Sequence, residues 1–230
     1  MNRTIVVSAV AIVLLGSAAT LAQAQQGGPP LPTCDSCGVN FFVADNPTGS
    51  GNIGGLAGAD QICQNAAQAL GGRDAARTWR AYLSQEQKGA TPRVNARDRI
   101  GPGPWYNVKG QLIASSVADL HGDQQRDRNN IQKATVLDAK GNEIPGVGSP
   151  PGGNQHDIMT GSDPDGRAFV DGYDHTCNNW TSDIMTYPQA NPNVPADRAR
   201  AMLGHSDRGG QNTSWITSHL RLTIMRTDGY

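Results

Sequence analysis

The sequence predicts an α+β domain: a small mixed antiparallel sheet, one or two helices and a long loop region. Three observations predict it. One amphipathic helical stretch runs from Leu56 to Leu70, short apolar runs of strand length are scattered along the chain, and residues 121–167 are polar and rich in Gly, Asn and Asp. Composition agrees, since 37% hydrophobic residues with 28 glycines and 14 prolines describe one core among long connections, not a helical bundle. The 19 basic and 20 acidic residues nearly cancel, so nothing favours nucleic acid or an anionic membrane surface as partner.

The N-terminus predicts the compartment. Arg3, the apolar run Ile5 to Leu15 and the small-residue site Ala22-Gln23-Ala24 have the order of a secretory signal peptide, residues 1–24. The run is shorter than the roughly 20 residues a spanning helix needs. The expected product is therefore secreted or periplasmic, with no membrane span. Residues 25–38 form a Gly/Pro-rich lead-in containing Cys34-Asp35-Ser36-Cys37, and residues 39–230 form the domain.

Within the domain, Val39 to Ala44 carries two phenylalanines and reads as a first strand, followed by the turn-rich Asn46-Pro47-Thr48-Gly49-Ser50-Gly51. Leu56, Ala59, Ile62, Cys63, Ala66, Ala67 and Leu70 recur at helical spacing, and Gly71-Gly72 stops that helix. Cys63 therefore faces the core. Thr78 to Leu83 reads as a second strand. Trp105 to Val108 is an apolar run before a Lys109-Gly110 turn, while Leu112 to Leu120 fits either a helix or a strand. Phe169 to Cys177, the Trp180 region, Ala199 to Leu203 and Trp215 to Met225 supply further short apolar pieces.

Four cysteines, Cys34, Cys37, Cys63 and Cys177, favour disulfides in an oxidising compartment, with three connectivities open. The Cys34–Cys37 pair fits a redox motif, half a zinc site or a local clip. Redox chemistry wants a strand-to-helix context, and zinc wants a second ligand pair at suitable spacing. The Pro-rich setting favours the clip.

Several segments, taken in order, carry a resemblance. Phe41-Phe42-Val43, Gly54 to Cys63 and Trp79-Arg80-Ala81-Tyr82-Leu83-Ser84 come first, then Gly103-Pro104-Trp105-Tyr106 and Ala118-Asp119-Leu120. His156 to Ser162, Cys177 to Ser182, Gly204 to Arg208 and Ser214-Trp215 complete the series. Together they resemble bacterial endostatin-like domains of the C-type-lectin-like fold, including leptospiral surface proteins of that type. The resemblance implies a non-catalytic binding protein with a lectin-like loop surface. It also implies two closing cysteines after Ser218-His219, partners for the positions of Cys63 and Cys177. This sequence has neither, so the C-terminus is atypical from about residue 219, and lost disulfides of this kind cost about 2–5 kcal/mol each.

Asn154, Asp157, Asp163 and Asp165 lie within a dozen residues and offer oxygens of the kind calcium takes, about six to eight at a time. The competing reading makes Asp163-Pro164-Asp165-Gly166 a plain turn. The sugar-binding tripeptides Glu-Pro-Asn and Gln-Pro-Asp are absent, and Asn191-Pro192-Asn193 is a loose echo. Asn178, Asn179, Trp180 and Asp183, with His156 and Asp157, are the candidate ligand-binding residues; the alternative for Trp180 is a core anchor. Catalytic patterns fall short. Gly204 to Gly209 misses the nucleophile-elbow spacing, His156-Asp157 are merely adjacent, and His175 with Cys177 lacks further zinc ligands. The expected function is recognition of carbohydrate or a glycoprotein, with adhesion to host or matrix proteins, or a structural envelope role, as alternatives.

Overall fold

A computed structural model describes residues 30–122, 128–149, 153–183, 200–210 and 213–222. The predicted signal peptide, Asn191-Pro192-Asn193 and the tail beyond Leu222 lie outside the described residues. The chain is a mixed α+β protein with few helices and small antiparallel sheets.

Helix α1 (Gly55–Ala66) is the element the periodicity predicts, and a 3-10 turn extends it through Leu70 before Gly71, at φ 68°, ends it. Its buried side, with Ala59, Leu56, Ile62 and Cys63, packs on the core. A short α2 (Gly72–Ala75) follows. Thr78 to Leu83, expected as a strand, runs extended without a ladder partner. Its polar backbone is satisfied one group at a time: Gln64 Oε1 accepts from Trp79 N at 3.1 Å, and Asp60 Oδ1 accepts from Ala81 N at 2.8 Å. Val39 to Ala44 likewise runs along no ladder: Asn40 N and Phe41 N both donate to Tyr106 O, Val43 N donates to Leu137 O, and Val43 makes a single parallel bridge to Asp138.

β1 (Trp105–Tyr106) and β2 (Leu112–Ala114) form a two-stranded antiparallel sheet around the Lys109-Gly110 turn. The ambiguous stretch after Leu112 contains both alternatives, for β2 gives way to α3 (Val117–His121), capped by Ser116 accepting from Asp119 N. The lead-in is no free tether from Pro32 onward. Leu112 N donates to Pro32 O and Cys34 N to Gly110 O, so the chain is tied beside β2 just before the Cys34–Cys37 disulfide.

The second sheet holds β3 (Asp157–Met159), β4 (Arg200–His205) and β5 (His219–Leu222), antiparallel in the order β3-β4-β5. Register pairs Asp157 with His205, Met159 with Leu203, and Leu203 with His219. Because side chains alternate, Ala201, Leu203, Met159, Asp157, His205 and His219 share one face. Ala201, Leu203 and Met159 there join the cluster of Ile53, Leu83, Cys177 and Trp180. Ile158 points to the other face and packs with Trp105, Ile113, Leu120, Trp215 and Ile216. Two apolar clusters thus lie back to back across one small sheet. Gly204 on that second face is crossed by the Trp215–Ile216 backbone so closely that a Cβ would overlap Trp215 O. No helix among the described residues is long and apolar enough to cross a membrane.

Candidate functional site

The segment α4 (Cys177–Trp180) is a turn of opposite hand to an ordinary helix. Cys177, Asn178, Asn179 and Trp180 all have positive φ, from 50° to 66°. An L-residue in that region costs roughly 1–2 kcal/mol, less for Asn, whose short side chain bonds locally. The surroundings hold it there. Asn179 Oδ1 accepts from Glu86 N at 2.8 Å and its Nδ2 donates to Glu86 O at 2.9 Å, a two-point clamp on a buried strand-like segment. Trp180 is fully buried and donates its indole N–H to Ser84 O at 2.7 Å. Asp174 accepts from Asn178 N at 2.7 Å, and Ile53 N donates to Trp180 O.

This placement divides the predicted ligand residues. Trp180 is the core anchor of the alternative reading, with no face open for stacking. Asn179 is buried, with its amide nitrogen engaged by Glu86 O. Asn178 and Asp183 stand exposed. Asn178 Oδ1 accepts from Lys88 Nζ at 3.2 Å, and Lys88 also reaches Asp174 at 3.4 Å. The neighbouring loop exposes Val170 at 73%, Tyr173 at 54% and the Asp171 carboxylate. Below them His175 stacks on Phe169 with centroids 3.9 Å apart, and Glu86 Oε1 accepts from His175 N at 2.8 Å and lies 3.2 Å from its Nδ1. Burial acts most strongly on His175 and lowers its pKa. The Glu86 hydrogen bond, the Asp171 and Glu86 charges and the Tyr173 carbonyl outweigh it, so the net shift is upward. Lys88, Tyr173 and Glu86 were not legible as site residues, being single residues in unpatterned loops.

A second cluster sits where β3, β4 and β5 meet. His156 and Asp157 belong to it, joined by His205, His219 and Asp207 from far along the chain. The two buried rings of His156 and His205 stack at 4.1 Å, and His219 lies 5.1 Å from His205. Asp207 accepts from His156 Nδ1 at 2.8 Å. Burial pushes the Asp207 carboxyl upward, but hydrogen bonds from Gly209 N, Val147 N and His156 hold it below the ordinary carboxylate range. The motif segments Gly204 to Arg208 and Ser218-His219 carried these residues; only strand register brings them together.

The four calcium candidates do not converge. Asp163 Oδ1 accepts from Asp165 N and Arg167 N, closing a turn, and Asp165 pairs with Arg167 at 2.9 Å. That is the turn reading, with both carboxylates occupied by local donors. Asn154 and Asp157 lie instead beside His156. Among the described residues, the His, Cys, Asp and Glu side chains close enough to share an ion are His156, Asp157 and His205. Cys34 and Cys37 form a disulfide, while Cys63 and Cys177 are thiols in one apolar cluster. Burial, with the Asp60 charge behind it, pushes the Cys63 thiol up to about 11.

No family model matches the chain. The human collagen alpha-1(XVIII) chain, an endostatin-containing protein, is 29% identical over 168 residues. The match covers 73% of this chain and 9% of the collagen, so this chain spans about a tenth of that relative's length. Its likeness to that chain is compatible with a C-type-lectin-like fold for this α+β protein.

Proposed function

We propose that this chain is an exported, non-catalytic binding module that takes a carbohydrate or glycoprotein ligand on the surface formed by Lys88, Asp171, Tyr173 and Asn178. One observation carries the reading. Four consecutive left-handed residues are held by buried clamps, and the residue they leave at the surface is Asn178, beside a lysine, carboxylates and an exposed tyrosine. Backbone strain persists only where the surroundings over-determine it, and it concentrates at binding and switch sites. A phenol face with amide, ammonium and carboxylate groups around it supplies both stacking and hydrogen bonding to a polyhydroxyl ring. The fold analogy supports a lectin-like role without fixing the ligand.

The experiment is a glycan array probed with the purified chain, in calcium and in chelator, alongside Tyr173→Ala and Lys88→Ala variants. Binding to one glycan class, weakened about tenfold or more in either variant, supports the surface. Loss of binding in chelator adds a metal to the site. A folded chain that binds no glycan sinks the lectin reading and moves the weight to a protein-binding adhesin or an envelope role.

A further inference from the structure

We propose that His156, Asp157, His205 and His219 form a binding site for one divalent transition-metal ion of the zinc class, with Asp207 as a positioning residue. The proposal is independent of the glycan-binding surface, and it differs in chemistry from the calcium set the sequence suggested.

Distances point to it first. Asp157 Oδ1 lies 3.5 Å from His156 Nε2, 3.5 Å from His205 Nε2 and 3.3 Å from His219 Nε2. Ligand atoms about 2.0–2.1 Å from a tetrahedral zinc ion stand about 3.3–3.4 Å from one another. His156, Asp157 and His205 already lie within ion-sharing reach of one another, while His219, close to the Asp157 oxygen alone, must move in from the solvent side to complete the set.

Hydrogen bonds on the far side of the rings supply the second line. His156 Nδ1 meets the Asp207 carboxylate at 2.8 Å, and His205 Nδ1 meets Gly209 O at 2.7 Å. Both partners are acceptors, so both Nδ1 atoms carry the proton. In a neutral ring this leaves each Nε2 as an acceptor 3.5 Å from Asp157 Oδ1. A shared cation can take both imidazole lone pairs and the carboxylate at once. Fixing Nδ1 by a carboxylate or a backbone carbonyl is the outer-shell arrangement of histidine metal sites.

Donor chemistry selects the ion. Three imidazoles and one carboxylate suit zinc, cobalt, nickel or copper, whereas calcium wants an all-oxygen shell. Four protein ligands fill a tetrahedron, the closed form typical of structural sites. Such an ion would tie β5 to β3 and β4. His219, with its side chain 42% exposed, leaves an entry path from solvent. Loading requires the stacked rings of His156 and His205 to splay, and it displaces the Asn154 amide, now 3.3 Å from His156 Nε2, and the Ser218 hydroxyl, 3.1 Å from His205 Nε2.

The test uses the untagged full chain, stripped with chelator, titrated calorimetrically with zinc chloride and separately with calcium chloride. Cobalt chloride is added to a third sample for its visible spectrum. One zinc per chain is expected, with no comparable uptake of calcium. Cobalt should give tetrahedral bands without the thiolate charge-transfer absorption that Cys63 or Cys177 would produce. Exposed His219→Ala should weaken zinc at least tenfold in a protein whose circular dichroism is unchanged. Asp207→Asn should weaken it about 10- to 100-fold while keeping the stoichiometry. Absence of saturable zinc uptake, equal uptake of calcium, a thiolate spectrum, or unchanged affinity in folded His219→Ala would each overturn the site. Failure of the glycan array would leave these readouts untouched, since they measure the ion directly.

Discussion

Asn179 shows how one side chain can stabilise an unfavourable backbone. Its amide does two jobs at once, accepting from Glu86 N and donating to Glu86 O, while Thr176 Oγ1 lies 3.1 Å from its Oδ1. The groups it satisfies are buried, so removing it strands a donor and an acceptor away from water. Each stranded group costs about 1–3 kcal/mol, and an alanine tolerates positive φ less well than Asn. Asn179→Ala should therefore lower stability by about 2–4 kcal/mol, read as a shift in the urea midpoint with unchanged slope. A shift below roughly 0.5 kcal/mol would mean that the left-handed turn is held by Trp180 and Asp174 without the clamp. The sequence marked this residue as important but for the wrong reason. An Asn beside a Trp reads as a ligand contact, because nothing local reveals that its partner is Glu86, 93 residues away. Trp180 carries two readings in the sequence, ligand contact and core anchor, and its full burial selects the second.

Elements that carry their own periodicity are legible in the sequence, and those defined by distant partners are not. The spacing from Leu56 to Leu70 gave α1 with its stop at Gly71, since a helix closes its own hydrogen bonds. Thr78 to Leu83 alternates like a strand yet pairs with no neighbour along a ladder, because strand identity depends on what lies beside it. The candidate metal ligands were half legible for the same reason: His156-Asp157 stood out, but His205 and His219 join them through antiparallel register. The loop from Phe169 to Thr176 is another element fixed by a remote group, the Glu86 carboxylate beneath His175. The net pKa of His175 is raised, so the folded state holds its proton more tightly than the unfolded chain does. The resulting stabilisation is fully present below the unfolded value near 6.5 and is lost as pH rises through the raised folded value. Urea midpoints measured upward from about pH 6 should fall across that window in the native chain. Glu86→Gln should flatten the fall, because it removes the bond and charge that raise the pKa. An identical pH slope in the variant would show that other histidines carry the dependence.

At the scale of the whole molecule, the three-stranded sheet decides how the protein unfolds. One of its faces packs Leu83, Cys177 and Trp180 against Ala201 and Leu203; the other packs Ile113, Leu120 and Trp215 against Ile158. Neither cluster can dissolve alone, because Ile158 and Met159 are neighbours on β3 and point into opposite clusters. Polar links run the same way: Thr160 Oγ1 donates to Ile216 O at 2.6 Å, and Ser84 N donates to Thr160 O. Apolar packing of Cys63 and Cys177 in the first cluster also stands where the resemblance would place disulfides to closing cysteines. Cohesion in this fold therefore rests on burial across the sheet, with the described covalent link confined to the lead-in at Cys34–Cys37. It follows that Leu83→Ala in the first cluster and Ile113→Ala in the second should act on one shared transition. Each should cost about 2–5 kcal/mol, the range for truncating a large buried aliphatic side chain. Tryptophan fluorescence samples both clusters through Trp180 and Trp215, and far-ultraviolet circular dichroism samples the backbone. In both variants the two signals should change together at a single lowered midpoint, the mark of one cooperative unit. Should either variant split the transition, with one signal lost before the other, the two faces of the sheet would be separate folding units, and β3 would be a hinge between them instead of their common wall.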